Sequence, residues 1–381
     1  MKIVVAKRTS RRGQGLGNEL LPWAKGWIAS EELHADLVGP SWGLNKRRYA
    51  RNFGTNKLDW ILEDAILRLP HFCFRDEDYR ATGESDFGAA IRHWAQERRL
   101  DRRRSFLVEV GGMWGGYTAI RHARPFLWSQ LLSSRDALRN LYRVLSKLDR
   151  NKLAVAVHLR SGGDGFMSPV DASSQRGRFN ILIASDWYLW VCEQIAKEFG
   201  DRVQFWFFTD RQESSFEKLS RRFNPRQFAQ TGLTECSDLL LMAMADVRVC
   251  SVSSYSMAAC FLADGPYVWY EPQLTLRDGL YTLWGGEETQ QLSLSPTMHS
   301  RAFVEDRCGS CHQDQNGSAE YKGYPMDIGD ALPECLAVEL ERRLRAKESR
   351  TNLLEYGCVR QNASRTNAET VLNLAPMEGA R

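Results

Sequence analysis

The sequence predicts an α/β fold made of two doubly wound halves, each built on a parallel sheet. Three observations predict it. Short apolar runs of β type alternate with amphipathic helical stretches along most of the chain. The run Leu153–His158 is apolar almost without a break, as in a strand covered on both faces. Several such runs end in Gly, Ser, Arg or Asp, where the carboxyl ends of parallel strands meet ligands. At 381 residues, two or three domains are expected.

The elements follow in order. Lys2–Ala6 reads as the first strand, followed by a Gly-rich basic loop and a helix from about Asn18 to Ala29. Phe106–Val110 is a strand, and Arg124–Lys147 forms one or two helices with apolar residues at helical spacing. A second series starts near Asn151 with the strand Leu153–His158. The helix Ser185–Phe199 follows, with Ser185 or Asp186 as its cap, then the strand Val203–Phe208. Cys236–Ala245 is helical, Asp246–Cys250 a short strand, Ser254–Leu262 a helix and Tyr267–Tyr270 a strand. The halves therefore divide as 1–150 and 151–300. Residues 301–381 form a C-terminal extension that turns polar beyond Arg345 and ends in a partly disordered tail.

Composition bounds the function. Hydrophobic residues make up 43% and charged residues 26%, which excludes collagen-like, disordered and disulfide-scaffold classes. A net charge of +4 is too small to mark a nucleic-acid binder. The charge is unevenly spread. Residues 1–150 hold 27 Lys+Arg against 17 Asp+Glu, and the remainder 24 against 30. Lys46-Arg47-Arg48, Arg98-Arg99 and Arg102-Arg103-Arg104 are solvated faces or contacts to an anionic membrane surface. No stretch approaches the roughly 18 apolar residues of a membrane span, and Met1–Ala6 is too short for a signal-peptide core. A cytoplasmic protein, peripheral at the inner face of a membrane, is expected. Cys73, Cys192, Cys236, Cys250 and Cys260 lie in apolar runs, where free thiols pack as small hydrophobes.

Chemistry concentrates at strand ends. Gly15-Leu16-Gly17-Asn18-Glu19 follows the first strand; glycines admit close backbone approach and the helix N-terminus favours an anion. The third glycine of a dinucleotide fingerprint is missing, and a tight strand-to-helix turn is an equal alternative. His158-Leu159-Arg160-Ser161-Gly162-Gly163-Asp164 offers a guanidinium fork for two phosphate oxygens, with glycines leaving room. His158 is a core imidazole more readily than a catalytic one, and Asp164 a loop cap or a base. Asp210 accepts hydrogen bonds from a nucleoside or caps the following helix, and Asp238 is placed as a helix cap. Ser253 and Ser254 cap a helix or donate to a phosphate held at its N-terminus. Asp76-Glu77-Asp78 has the spacing of a metal-binding acidic motif, but without a clear strand before it reads as a solvated turn. Cys308, Cys311 and His312 match a haem-attachment pattern that needs export. A small zinc site with Cys335 is the better metal reading, and plain loop thiols are better still.

Taken in order, these motifs resemble the fucosyltransferase superfamily that shares a His-x-Arg-x-Gly motif, including the α-1,2-fucosyltransferase-like families. The resemblance covers about residues 1–270 and rests on Gly15–Asn18, His158–Asp164, Phe208–Asp210, Asp238–Met242 and Ser253–Ser256. It implies a GT-B glycosyltransferase, two Rossmann-like domains facing across a cleft, the first on the acceptor side and the second binding the donor. It implies inverting, metal-independent transfer of fucose from GDP-fucose to a hydroxyl of a glycan or lipid-linked glycan, for a surface polysaccharide, with no cofactor. Arg160 then holds the β-phosphate, and Ser253 and Ser254 add contacts to it. Asp210 or Asp238 meets the nucleoside. His158, Gly162, Gly163, Gly15, Gly17 and Asn18 line the donor site. Asp164 and Glu19 are candidate bases. Ser161 stands where the family has a second arginine, and Gly163 displaces Asp164 by one position. The alternatives are another donor such as GDP-mannose, or a non-catalytic nucleotide- or carbohydrate-binding protein.

Overall fold

The computed structural model describes residues 1–7, 15–42, 47, 49–117, 119–134, 136–145, 148–149, 151–160, 183–209, 214–227, 234–263, 265–270, 275–277, 280–282 and 323–348. Within them the chain forms two parallel, helix-flanked sheets, the α/β architecture expected of a GT-B chain.

The first sheet comprises β1 (Lys2–Ala6), β2 (Asp36–Val38), β3 (Phe72–Phe74) and β4 (Phe106–Val110), all parallel, in the order β2-β1-β4-β3. The helix α1 (Leu16–Leu33) packs on β1 at Gly26, where a Cβ would lie 2.6 Å from that of Ala6. Between β2 and β4 run α2 (Ala50–Phe53), α3 (Lys57–Ile66), α4 (Asp76–Ala81) and α5 (Phe87–Glu97). Phe87, Ala90, Ile91 and Trp94 of α5 recur at helical spacing and bury against the core, and Asp86 caps the helix through Ala89 N.

The segment expected as one or two helices is two, α6 (Arg124–Leu132) and α7 (Ala137–Leu145). The second sheet then begins. Its described strands are β5 (Leu153–Leu159), β6 (Val203–Thr209), β7 (Arg226–Gln227), β8 (Val247–Val249) and β9 (Tyr267–Tyr270). A short antiparallel pair, β10 (Thr275–Arg277) and β11 (Leu280–Thr282), stands outside that sheet. A last strand, β12 (Gly323–Met326), comes from beyond residue 300 and pairs in parallel with β9. The order is β12-β9-β8-β5-β6-β7. Counted from β5, this is the 3-2-1-4-5-6 winding, with its reversal between β5 and β8. All seven residues of β5 are buried, as its unbroken apolar run predicts.

The flanking helices are α8 (Ser185–Phe199), α9 (Ser214–Phe223), α10 (Glu235–Met244), α11 (Ser254–Leu262) and α12 (Glu334–Glu348). Trp187 Nε1 donates to Met326 O at 2.8 Å and holds α8 on β12. The halves join through α6, α7 and α11. Arg124 Nε and Nη2 and Trp128 Nε1 all donate to Leu262 O, and Asn140 Nδ2 donates to Ser237 Oγ at 3.1 Å.

Three local expectations change. Ala184, not Ser185 or Asp186, is the N-cap of α8; Asp186 pairs with Lys218 instead. Thr234 caps α10, its Oγ1 accepting from Ser237 N, because its extended backbone suits a cap while Asp238 is already helical. Asp76-Glu77-Asp78 is no solvated turn: it opens α4, and Asp76 accepts from Met113 N and Trp114 N, each at 3.0 Å. Among the described residues no helix is long and apolar enough to cross a membrane.

Candidate functional site

Where strand order reverses, the connections leaving the two central strands pass to opposite faces and open a crevice at their carboxyl ends. Here those strands are β5 and β8. His158 is the penultimate residue of β5, and half-buried Arg160 is the first residue past it. After β8 the chain runs through Cys250, Ser251 and Val252 to Ser253, the N-cap of α11.

A buried network locks these two strand ends together. His158 Nδ1 lies 2.7 Å from Ser256 Oγ and 2.9 Å from Ser251 Oγ. Ser251 Oγ in turn lies 3.1 Å from Ser256 Oγ, and Ser253 Oγ accepts from Ser256 N at 3.1 Å. His158 is only 5% exposed. His158 and the Ser253 hydroxyl therefore fix the loop, while the first-turn N–H groups of α11 provide its electropositive end.

The N-terminus of α1 meets that of α11 at Gly17. A Cβ on Gly17 would lie 2.4 Å from the carbonyl carbon and oxygen of Ser254, and 2.6 Å from Tyr255 N. Only a glycine allows this contact. Tyr117 Oη donates to Gly17 O at 2.5 Å, and its ring lies 5.0 Å from that of Phe261, which fastens both helices. Gly15 is the N-cap of α1, has no side chain to close it, and has open space around it. Two helix N-termini thus converge where the strand order reverses, an arrangement suited to an anion.

Asp238 lies in the first turn of α10, which packs on α11. Its Oδ1 is shut from solvent and accepts no hydrogen bond among the described residues. Burial, with a smaller contribution from Glu235, raises its pKa to about 7. Tyr255 spans the gap: its ring lies 5.4 Å from His158 and its Oη donates to Glu235 O at 2.5 Å.

The fold therefore joins His158 to Ser251 and Ser256, and Gly17 to Ser254, at the ends of β5 and β8, with Arg160 two residues beyond His158, Gly15 capping α1 and Asp238 on the neighbouring helix α10. Asn18, half-buried, follows in the first turn of α1, and Glu19 is fully buried there. Gly162, Gly163, Asp164 and Asp210 lie outside the described residues, as do Cys308, Cys311 and His312. Sequence reasoning gave no role to Ser251, Ser256 or Tyr117. Their signal is weak, since a hydroxyl close to a strand end is common and Tyr117 acts across 100 positions of sequence.

No protein-family model matches this chain, and no curated protein matches it. Among solved structures, it is similar to POFUT1 in complex with GDP-fucose, at 13% identity over 70% of this chain and 97% of that one, with a TM-score of 0.41. It is also similar to NodZ α-1,6-fucosyltransferase soaked with GDP-fucose, at 14% identity, 68% and 92% coverage and a TM-score of 0.37. Fucosyltransferase NodZ from Bradyrhizobium gives 14%, 68% and 92%, and 0.38.

Proposed function

We propose that this chain is a glycosyltransferase that moves fucose from GDP-fucose to a hydroxyl of a glycan, inverting the anomeric centre without a metal ion at the reaction centre. The observation that supports this reading is the meeting of the N-termini of α1 and α11 at Gly17, beside the strand-order reversal from which β5 leads into Arg160. In transfer, the acceptor oxygen bonds to the anomeric carbon as the bond from that carbon to the β-phosphate oxygen breaks. Negative charge grows on the departing GDP. A guanidinium fork and two helix N-termini oppose it where it develops, which lowers the barrier. By the family resemblance, Asp210 or Asp238 meets the nucleoside. Asp164 is the candidate base that takes the acceptor proton.

The acceptor side belongs to the basic first half. Its charge excess, together with exposed Leu58, Ile61 and Leu62 on one face of α3, supports work at an anionic membrane surface on a lipid-linked glycan for a surface polysaccharide.

The test is release of GDP from GDP-fucose by the purified full chain, with and without glycan acceptor. Arg160→Ala lowers turnover by about 100-fold or more. Turnover undiminished in that variant, or faster turnover with a UDP or CMP sugar than with GDP-fucose, contradicts the reading.

A further inference from the structure

The first half carries a separate cluster that the transfer reading does not use. On the edge strand β3, Phe72 and Phe74 point toward α5, their rings 6.4 Å and 5.1 Å from Trp94. Strand alternation therefore turns Cys73 to the opposite face. There Cys73 stands in register with Glu109 of β4, a buried carboxylate, and His71 precedes the strand. One ligand atom from each of His71, Cys73 and Glu109 lies within 4.8 Å of the others.

Two outer contacts aim these atoms inward. His71 Nδ1 lies 2.8 Å from Leu69 O; a carbonyl only accepts, so Nδ1 carries a proton, and the tautomer of the neutral ring that fits this contact has its lone pair on Nε2. Nε2 lies 4.0 Å from Glu109 Oε2. The other carboxylate oxygen, Oε1, accepts from Lys7 Nζ at 2.6 Å. A histidine whose second nitrogen donates to a backbone carbonyl, beside a carboxylate held by its far oxygen, is the outer-shell pattern of metal-binding side chains. Arg75 Nη2 also reaches Cys73 Sγ, at 3.9 Å, a contact that a metal-bound thiolate can keep.

We infer that His71 Nε2, Cys73 Sγ and Glu109 Oε2 form a binding site for a zinc-class divalent cation. The donor set selects the ion. Magnesium and calcium take oxygen ligands, and copper(I) takes sulfur; one nitrogen, one sulfur and one oxygen suit the borderline Zn²⁺. Tetrahedral bonds of about 2.0–2.3 Å set ligand atoms roughly 3.5 Å apart, a small contraction from the present spacing. On binding, the metal–sulfur bond forms, the thiol proton leaves to solvent and no electron is transferred. Three protein ligands leave the fourth position to water. The ion would staple the three-residue strand β3 to β4, independently of the transfer site.

Titration of the full chain with Co²⁺ as a spectroscopic probe tests the site. The expected result is a thiolate-to-cobalt charge-transfer band that Zn²⁺ abolishes by displacement. Cys73→Ser loses that band, and His71→Ala, outside the strand and checked for fold by circular dichroism, weakens Co²⁺ binding at least about tenfold. A variant carrying Cys308→Ser, Cys311→Ser and His312→Ala keeps the band. No band in the unmodified chain, a band that survives Cys73→Ser, unchanged affinity in folded His71→Ala, or a band lost with the C-terminal substitutions would each overturn the inference.

Discussion

Asp238 combines two features that a cap does not have, an inaccessible Oδ1 without a donor among the described residues and a pKa raised to about 7. Because the folded value exceeds the unfolded one near 4, the folded state holds this proton more tightly. The associated stability is present below about pH 4 and is lost as pH rises toward 7. Asp238→Asn is therefore expected to raise the melting temperature at pH 8 and to change it little at pH 4; an equal change at both would exclude the burial explanation. Asp76 carries a different burden. It pairs with Lys25, which is wholly buried beneath the rings of Tyr79 and Phe87. Burial draws the Lys25 pKa down to about 8, and Asp76 resists the fall. Asp76→Ala leaves that ammonium unpaired and takes the acceptor from two backbone N–H groups, at a cost of about 3 kcal/mol in denaturant unfolding. The acidic triplet was legible in the sequence, but its meaning was not. Lys25 lies 51 positions away and Trp114 lies 38.

Among the elements, β1, β4, β5, β6 and α11 follow from the apolar runs that predict them. Others left no readable period. β2 and β3 have three residues each and β7 has two, too short for alternation to show. β12, Gly-Tyr-Pro-Met, holds a proline that argues against an inner strand, and it is found at the sheet's end in the described order. The contact between α1 and α11 was visible only as a glycine. It gives a sharp comparison. Gly17→Ala forces a methyl into the Ser254 backbone and should cost about 1–3 kcal/mol while slowing GDP release from GDP-fucose. Gly15→Ala meets nothing within 4 Å at an ordinary backbone angle and should leave stability nearly unchanged. Equal effects from both, read by thermal unfolding, would contradict the close-approach account. Arg248 is another element-scale device: fully buried, it donates to Ala243 O, Ala245 O and Pro266 O, tying the end of α10 to the start of β9.

For the whole molecule, charge and topology carry different information. The charge division was readable from composition. It predicts that the full chain is retained by vesicles containing anionic lipid at low salt and released as salt screens the surface, which a flotation assay reads. Retention by neutral vesicles alone would contradict it. The strand order was not readable, because β5 pairs with β8 across some ninety intervening residues and nothing local encodes that choice. Yet that order sets the ends of β5 and β8 side by side, and with them His158 and the N-terminus of α11, the place proposed for the diphosphate. The direct test of that place is calorimetric titration of GDP into the full chain and into Arg160→Ala, with guanosine as the control. The chain is expected to bind GDP, Arg160→Ala to weaken this about 10- to 100-fold, and guanosine affinity to be the same in both proteins. No GDP binding by the unmodified chain, or equal GDP affinity in the two proteins, would contradict this expectation.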